Sequence, residues 1–367
     1  MMLAAVLFSA AAALAAAAPQ QPQQPLATPV VTPLFVPTAR HPCFRQPAII
    51  TAGDTILAFA ENRNVSACAP ELELGAGADS APTGVDAPME VGSMLLRRST
   101  DGGKTWLPMQ TLTDGNIDFY SVVYDAKSHT VWLMVAERPS GTSVYSSSDG
   151  GATWKTMPPL DPEGIGKPPI RVTGPAVGHG IQIEPALCTP ACKDAGRLLL
   201  PFVCTNTSAN GTHGDRGCTT CNSCLLISDD AGKTWELGAI GQQGTRESQA
   251  VQTSSTTASA AVYGSERNMG AHPGHRQWGL STDAGSTYAT TGTASTLTAP
   301  VTAHWTGIVG AVSSINAGKL LVYSGPASTT LRSEMQVHTS NDSGKTWSAG
   351  KTVWESFAVR SLLRIAT

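Results

Sequence analysis

An all-β fold assembled from repeated antiparallel sheets is what this 367-residue chain predicts, and three observations carry the prediction. The first is an octapeptide, Ser-x-Asp-x-Gly-x-Thr-Trp, that occurs five times, the fourth copy ending in Tyr288. Its aspartates, Asp101, Asp149, Asp230, Asp283 and Asp342, stand 48, 81, 53 and 59 residues apart. A signature recurring at roughly 50 residues marks an array of similar supersecondary units, and the blades of a β-propeller fit that period. The second is a set of short apolar runs, Ile56–Ala60, Thr130–Val135 and Leu198–Val203, that read as buried strands. The third is plentiful Gly (36) and Pro (25) with no long amphipathic helical stretch.

Each octapeptide reads as a hairpin turn. The Asp carboxylate accepts from backbone N–H groups a few residues on, as in an Asx turn. The Gly supplies a positive φ that a residue with a Cβ resists. The Thr and the aromatic then start a strand, whose ring packs between neighbouring sheets. Those are structural duties, so none of the five aspartates is assigned a catalytic role.

Read from its start, the chain opens with an apolar, alanine-rich stretch, residues 1–18, which has the look of a secretory signal peptide. No Lys or Arg precedes Arg40, so the usual charged start is missing. Alanine is only weakly hydrophobic and the run is near the minimum for a span, so a cleaved signal is expected rather than a lasting membrane anchor. Residues 19–38, beginning Pro19-Gln-Gln-Pro, read as a Pro/Gln-rich linker, and 39–367 as the propeller. A net charge of −3 with no basic run argues against a nucleic-acid partner. Eight cysteines on a secretory route suggest disulfides. Cys218-Thr-Thr-Cys221-Asn-Ser-Cys224 lacks a second metal knuckle, so bridges within a surface insertion are expected, and that insertion would account for the 81-residue gap. Asn64, Asn206, Asn210 and, less suitably, Asn341 head glycosylation sequons.

Several further segments occur in an informative order. Phe44-Arg45-Gln46-Pro47 is followed by Ala58-Phe-Ala-Glu61-Asn-Arg63, then by Leu-Leu-Arg97-Arg98-Ser and the first octapeptide. Later come Asp114–Asp125, Gly174-Pro-Ala-Val-Gly178-His-Gly180-Ile-Gln182, Arg246-Glu247-Ser-Gln, Tyr263-Gly-Ser-Glu-Arg267 and Tyr323-Ser through Arg332. The octapeptide is the Asp-box, and this order of motifs, from about Arg40 to about Trp354, resembles the sialidase (neuraminidase) family. Gln46 stands where that family usually has Ile. Asp-boxes also occur in other propellers, so the arginine motifs carry most of the functional weight.

The resemblance implies a six-bladed β-propeller of four-stranded antiparallel blades, the last blade incomplete at the end of the chain. It also implies an exo-α-sialidase with a retaining mechanism that needs neither metal nor cofactor. Its partners would be sialylated glycoproteins, glycolipids or oligosaccharides, or glycans of a related nonulosonic acid such as Kdn. The secretory route would place it outside the cell or in a lysosome. Arg45, Arg267 and Arg332 would grip the substrate carboxylate, because the planar guanidinium fork matches a carboxylate bidentately. Arg63 would contact the substrate nearby. Glu247 would act as base for the nucleophile, and Asp86, in the loop before Arg97, as acid/base, with Asp79 and Glu90 as alternatives.

The family's nucleophile is a tyrosine, since a neutral phenol is not repelled by an anionic sugar. It belongs in a Gly-x-Tyr-Ser-x-Leu context after the last box. This chain has Phe357-Ala-Val359-Arg-Ser-Leu-Leu363 there, and no Tyr follows Tyr323. Two alternatives therefore stand beside the hydrolase: a catalytically impaired, lectin-like propeller that binds sialic acid, and a structural propeller that binds protein partners.

Overall fold

In the computed structural model the apolar runs are strands: Ile56–Ala60 lies in β2 (Thr55–Arg63), Thr130–Val135 in β5 (Thr130–Arg138) and Leu198–Val203 in β11 (Leu198–Asn206). The structure describes residues 33–63, 92–138, 141–208, 220–269, 274–301, 310–330 and 333–355. The expected signal peptide, most of the linker and residues 356–367 lie outside the described residues. From the linker's last residues, Phe35 packs its ring on Phe44 at 5.4 Å.

The described strands form five antiparallel blades. Blade 1 consists of β1 (Cys43–Ala52), β2, β3 (Gly92–Ser99) and the first part of β4 (Gln110–Asp125). The second part of β4 continues as the inner strand of blade 2, followed by β5, β6 (Gly141–Ser147) and β7 (Lys155–Leu160). Blade 3 has an interrupted inner strand, β8 (Ile170–Pro175), β9 (Gly178–His179) and β10 (Ile181–Gln182). Its outer strands are β11, β12 (Cys221–Ser228) and β13 (Glu236–Gln243). Blade 4 is β14 (Thr245–Thr253), β15 (Ala261–Asn268), β16 (Gly274–Ser281) and β17 (Thr290–Ala299). Blade 5 is β18 (Ala311–Ile315), β19 (Leu320–Pro326), β20 (Met335–Ser340) and β21 (Lys351–Trp354).

The expected six blades are thus corrected to five. Each Asp-box joins the third and fourth strands of one blade, and five boxes account for all five blades among the described residues. The sixth blade had been inferred from resemblance alone, with no box to mark it.

Each box is built as its residue types dictate. In the second box Ser147 donates to Asp149 (2.8 Å), and Asp149 accepts from the Thr153 N–H (2.9 Å) and hydroxyl (2.6 Å). The box glycines Gly103, Gly151, Gly232, Gly285 and Gly344 all have φ between 77° and 87°. The rings of four boxes wedge towards the preceding blade. Trp154 meets Phe59 edge-on at 6.2 Å, and Trp347 lies 5.9 Å from Tyr263. Trp235 and Tyr288 join the cores between blades 2 and 3 and between blades 3 and 4. Burying such a ring contributes about 1.5–3 kcal/mol.

All six described cysteines are disulfide-bonded. Cys188 pairs with Cys192 in the loop between β10 and β11. Cys204 pairs with Cys224, which corrects the expected placement: this bridge is buried and ties β11 to β12 within the blade rather than closing a surface insertion. Apolar residues on both strands brought these cysteines into the core. The 81-residue gap is filled partly by the segmented inner strand of blade 3, a helical turn at Pro162–Ile165 and a 3-10 turn at Pro185–Leu187. Residues 209–219, also in the gap, are not described.

Candidate functional site

Antiparallel order decides which ends of the strands gather. Inner strands run the same way around the axis, as the parallel pairing of β9 with β4 shows. The start of each inner strand therefore meets the end of its neighbouring second strand at one mouth of the propeller. The Asp-boxes, which follow the third strands, lie at the opposite end. Arg45 near the start of β1, Arg63 at the end of β2, Glu247 near the start of β14 and Arg267 near the end of β15 all fall on the first mouth.

In blade 1, Arg45 stands directly opposite Glu61 in the β1–β2 register. Glu61 is fully buried and takes Arg63 in a forked ion pair, Nε to Oε1 at 2.7 Å and Nη2 to Oε2 at 3.2 Å. The pairing follows from strand geometry, since residues two apart share a face. Immediately after Arg45 the register breaks in a β-bulge, where Gln46 adopts φ 55°.

In blade 4, Glu247 and Arg267 are both buried and form an ion pair, Nη1 to Oε2 at 2.8 Å. A bulge between Thr245 and Ser248 precedes the regular part of β14. The neighbouring Arg246 turns the other way and lays its guanidinium over the Phe119 ring of β4, 5.4 Å from the centroid. Beside it opens a cavity of about 250 Å³ lined by Phe119, Glu137, Thr142, Thr173, Gly174 and Arg246. Glu137 in that wall accepts hydroxyl bonds from Thr113 (3.0 Å), Ser143 (2.7 Å) and Tyr145 (2.8 Å). Burial, with the Glu137 carboxylate second, pushes the Tyr145 phenol up.

A larger cavity, about 620 Å³, sits at the other mouth against Tyr124, Gln182, Gln252 and Ser314. Size does not make it the site, because none of the four described candidate residues lines it.

Glu266, next to Arg267 on β15, faces blade 3 and is fully buried. Burial pushes its carboxyl up to about 7, against the opposing pull of Ser223, the Gln242 N–H and Arg276.

Of the candidates named from sequence, Arg45, Arg63, Glu247 and Arg267 are placed, and the last two are brought into direct contact. Asp86, with its alternatives Asp79 and Glu90, and Arg332 lie outside the described residues, as does Val359. Sequence reasoning passed over Glu61, Arg246 and Glu137. Glu61 was findable from its place two residues before Arg63. Arg246 and Glu137 carried no such signal, because they come to line one cavity only when blades 2 and 4 are assembled. Among the described residues, no group of three or more His, Cys, Asp or Glu side chains is arranged to hold a metal ion. No helix among them is long and apolar enough to cross a membrane.

Residues 94–358 match the model of the BNR repeat-like domain. The chain is 29% identical over 312 residues to a sialidase of Micromonospora viridifaciens, covering 77% of this chain and 44% of that protein. It therefore spans less than half the length of this curated relative. Among solved structures it is similar to the Hadza microbial sialidase Hz136, with a TM-score of 0.61 and 19% identity, covering 87% of this chain and 61% of the other. It is also similar to the intramolecular trans-sialidase of Ruminococcus gnavus in complex with oseltamivir carboxylate. There the TM-score is 0.57, with 14% identity and 86% of each chain covered.

Proposed function

Because the chain belongs to the BNR repeat-like family, as a propeller of the sialidase type, we propose that it removes terminal sialic acid, or a related nonulosonic acid, from glycoproteins, glycolipids or oligosaccharides. The observation that carries this reading is the buried Glu247–Arg267 ion pair on the same mouth as Arg45 and Arg63. Three guanidinium groups in a partly dry mouth suit an anionic sugar ring, since charge-assisted forks are strongest where water is excluded.

In this reading Arg45, Arg267 and Arg332 hold the sugar carboxylate, and Arg63 contacts the ring. Arg267 donates to Oε2 of Glu247, and a carboxylate accepts more than one donor. Glu247 then draws the proton from the attacking hydroxyl, a role the family gives to a tyrosine and for which no residue of this chain is assigned, as its oxygen bonds to the anomeric carbon. Asp86 gives a proton to the departing glycosidic oxygen. In the second step Asp86 takes a proton from the attacking water, the hydroxyl regains its own from Glu247, and the configuration is retained. The disulfides support an oxidising compartment, so we assign the protein to the secretory route, extracellular or lysosomal.

The test is release of 4-methylumbelliferone from its α-sialoside by the full chain, alongside titration with free N-acetylneuraminic acid. Release that is lost in Arg267→Ala, with the variant still folded, supports the hydrolase. Binding without release replaces it with the lectin-like module. Neither signal from folded protein removes sialic acid from the account.

A further inference from the structure

The β-bulge after Arg45 has a specific fastener on another blade. Gln46 is 3% exposed and holds a left-handed φ of 55°, a strained region for a residue with a side chain that persists only where the surroundings hold it. Its carbonyl oxygen accepts a hydrogen bond from the hydroxyl of Tyr120, which is fully buried in β4. Tyr120 itself follows a second register break, between Ile117 and Tyr120, so two bulges face each other at this mouth. The Tyr120 ring is seated independently of that bond, against Phe59 at 6.2 Å. Its neighbour Ser121 donates to the carbonyls of Ala176 (3.0 Å) and Pro201 (2.8 Å) in blade 3. The dipeptide thus binds blade 1 on one side and blade 3 on the other.

We propose that Tyr120 is a positioning residue for Arg45: its hydroxyl fixes the bulge at Gln46–Pro47 and thereby the direction from which Arg45 meets an acidic ligand. The bond is built into the wall of the site, on a strand that carries none of the residues assigned to the chemistry. Without it, the strained Gln46 has lost the contact that holds its carbonyl, and β1 is free to relax towards a regular register. Arg45 would then leave its place opposite Glu61. The proposal rests on the reading that Arg45 grips a carboxylate.

The experiment compares Tyr120→Phe, Arg45→Ala and the double variant in the full chain, reading affinity for free N-acetylneuraminic acid and the melting temperature. Tyr120→Phe keeps the ring and removes only the donor. It should weaken binding about tenfold, as one lost hydrogen bond allows, and add nothing further to Arg45→Ala. A lower melting temperature with unchanged affinity, or an additive loss in the double variant, overturns the proposal. An Arg45→Ala variant that binds as the parent does overturns the carboxylate-grip reading instead. A crystal structure of Tyr120→Phe decides the geometry without any ligand. Gln46 moved out of positive φ is expected, and an unchanged bulge refutes the inference.

Discussion

Glu247 and Arg267 carry opposite charges in a place with little water, and neither can be removed cleanly. Truncating Arg267 leaves a buried carboxylate without its cation, which typically costs 3–5 kcal/mol. Arg267→Met should therefore lower the urea midpoint strongly, while Arg267→Met with Glu247→Gln should cost less than the two single changes summed. Glu266 behaves differently. Its carboxyl is raised from an ordinary 4.5 to about 7, so the folded chain holds that proton more tightly than the unfolded chain. Its contribution makes folding most stable below pH 4.5, weakens it as pH climbs from about 4.5 to about 7, and leaves it at its lowest above. The effect is at most about 3 kcal/mol. Glu266→Gln should flatten that slope and raise the melting temperature at pH 8, measured against the parent across pH 4 to 8. Candidate residues could be named where a motif spelled them, as in Tyr263-Gly-Ser-Glu-Arg267. Contacts such as Tyr120 with Gln46, 74 residues apart, could not be, because nothing local records which blade wall a phenol will reach.

At the scale of the element, the Asp-box is the part read most completely in advance. Its Ser, Asp, Gly and Thr each take the hydrogen bond or dihedral angle that their chemistry suggests. Asp149 is held down at about 2, against the cost of its burial, by the Thr153 hydroxyl, the Thr153 N–H and Ser147. Asp101 is held equally low, chiefly by Thr105. A depressed carboxylate stabilises the fold above its unfolded value, and that support drains away as pH falls from about 4 to about 2. Asp149→Ala should cost about 1–2 kcal/mol in denaturant titration, much as loss of a capping side chain does. Under the proposed function, sialoside turnover at low temperature should be unchanged, since the box lies at the end of the strands away from the arginines. The sequence was less informative about blade 3. Its inner strand is broken into β8, β9 and β10, short pieces too brief for any period to show.

At the scale of the molecule, the blades hold one another, among the described residues, through four apolar clusters, each shared between successive blades. The all-β class and the blade repeat were legible because the boxes count the blades. The number six was not, because it came from the wider family and not from a repeat in this chain. The Cys204–Cys224 bridge closes a 20-residue separation inside blade 3, and the loss of such a loop constraint costs about 3 kcal/mol. Replacing both cysteines by serine should shift the melting transition accordingly, most visibly in a probe placed on β11 or β12.

The junctions between blades are not alike. Between blades 3 and 4 the chain turns at Gly244, with φ 80°, and the hydrogen-bonded ladder stops. Between blades 1 and 2 it does not stop: the sixteen residues of β4 belong to both, and one sheet runs from β1 to β7. Native-state amide exchange should register this as one opening event. The slowest amides of β2 and β5 would report the same free energy, and those of β15 a separate one. The protein would then breathe in fewer independent pieces than it has blades, and the stretch that cannot open alone is the one that carries Arg45, Arg63 and Tyr120.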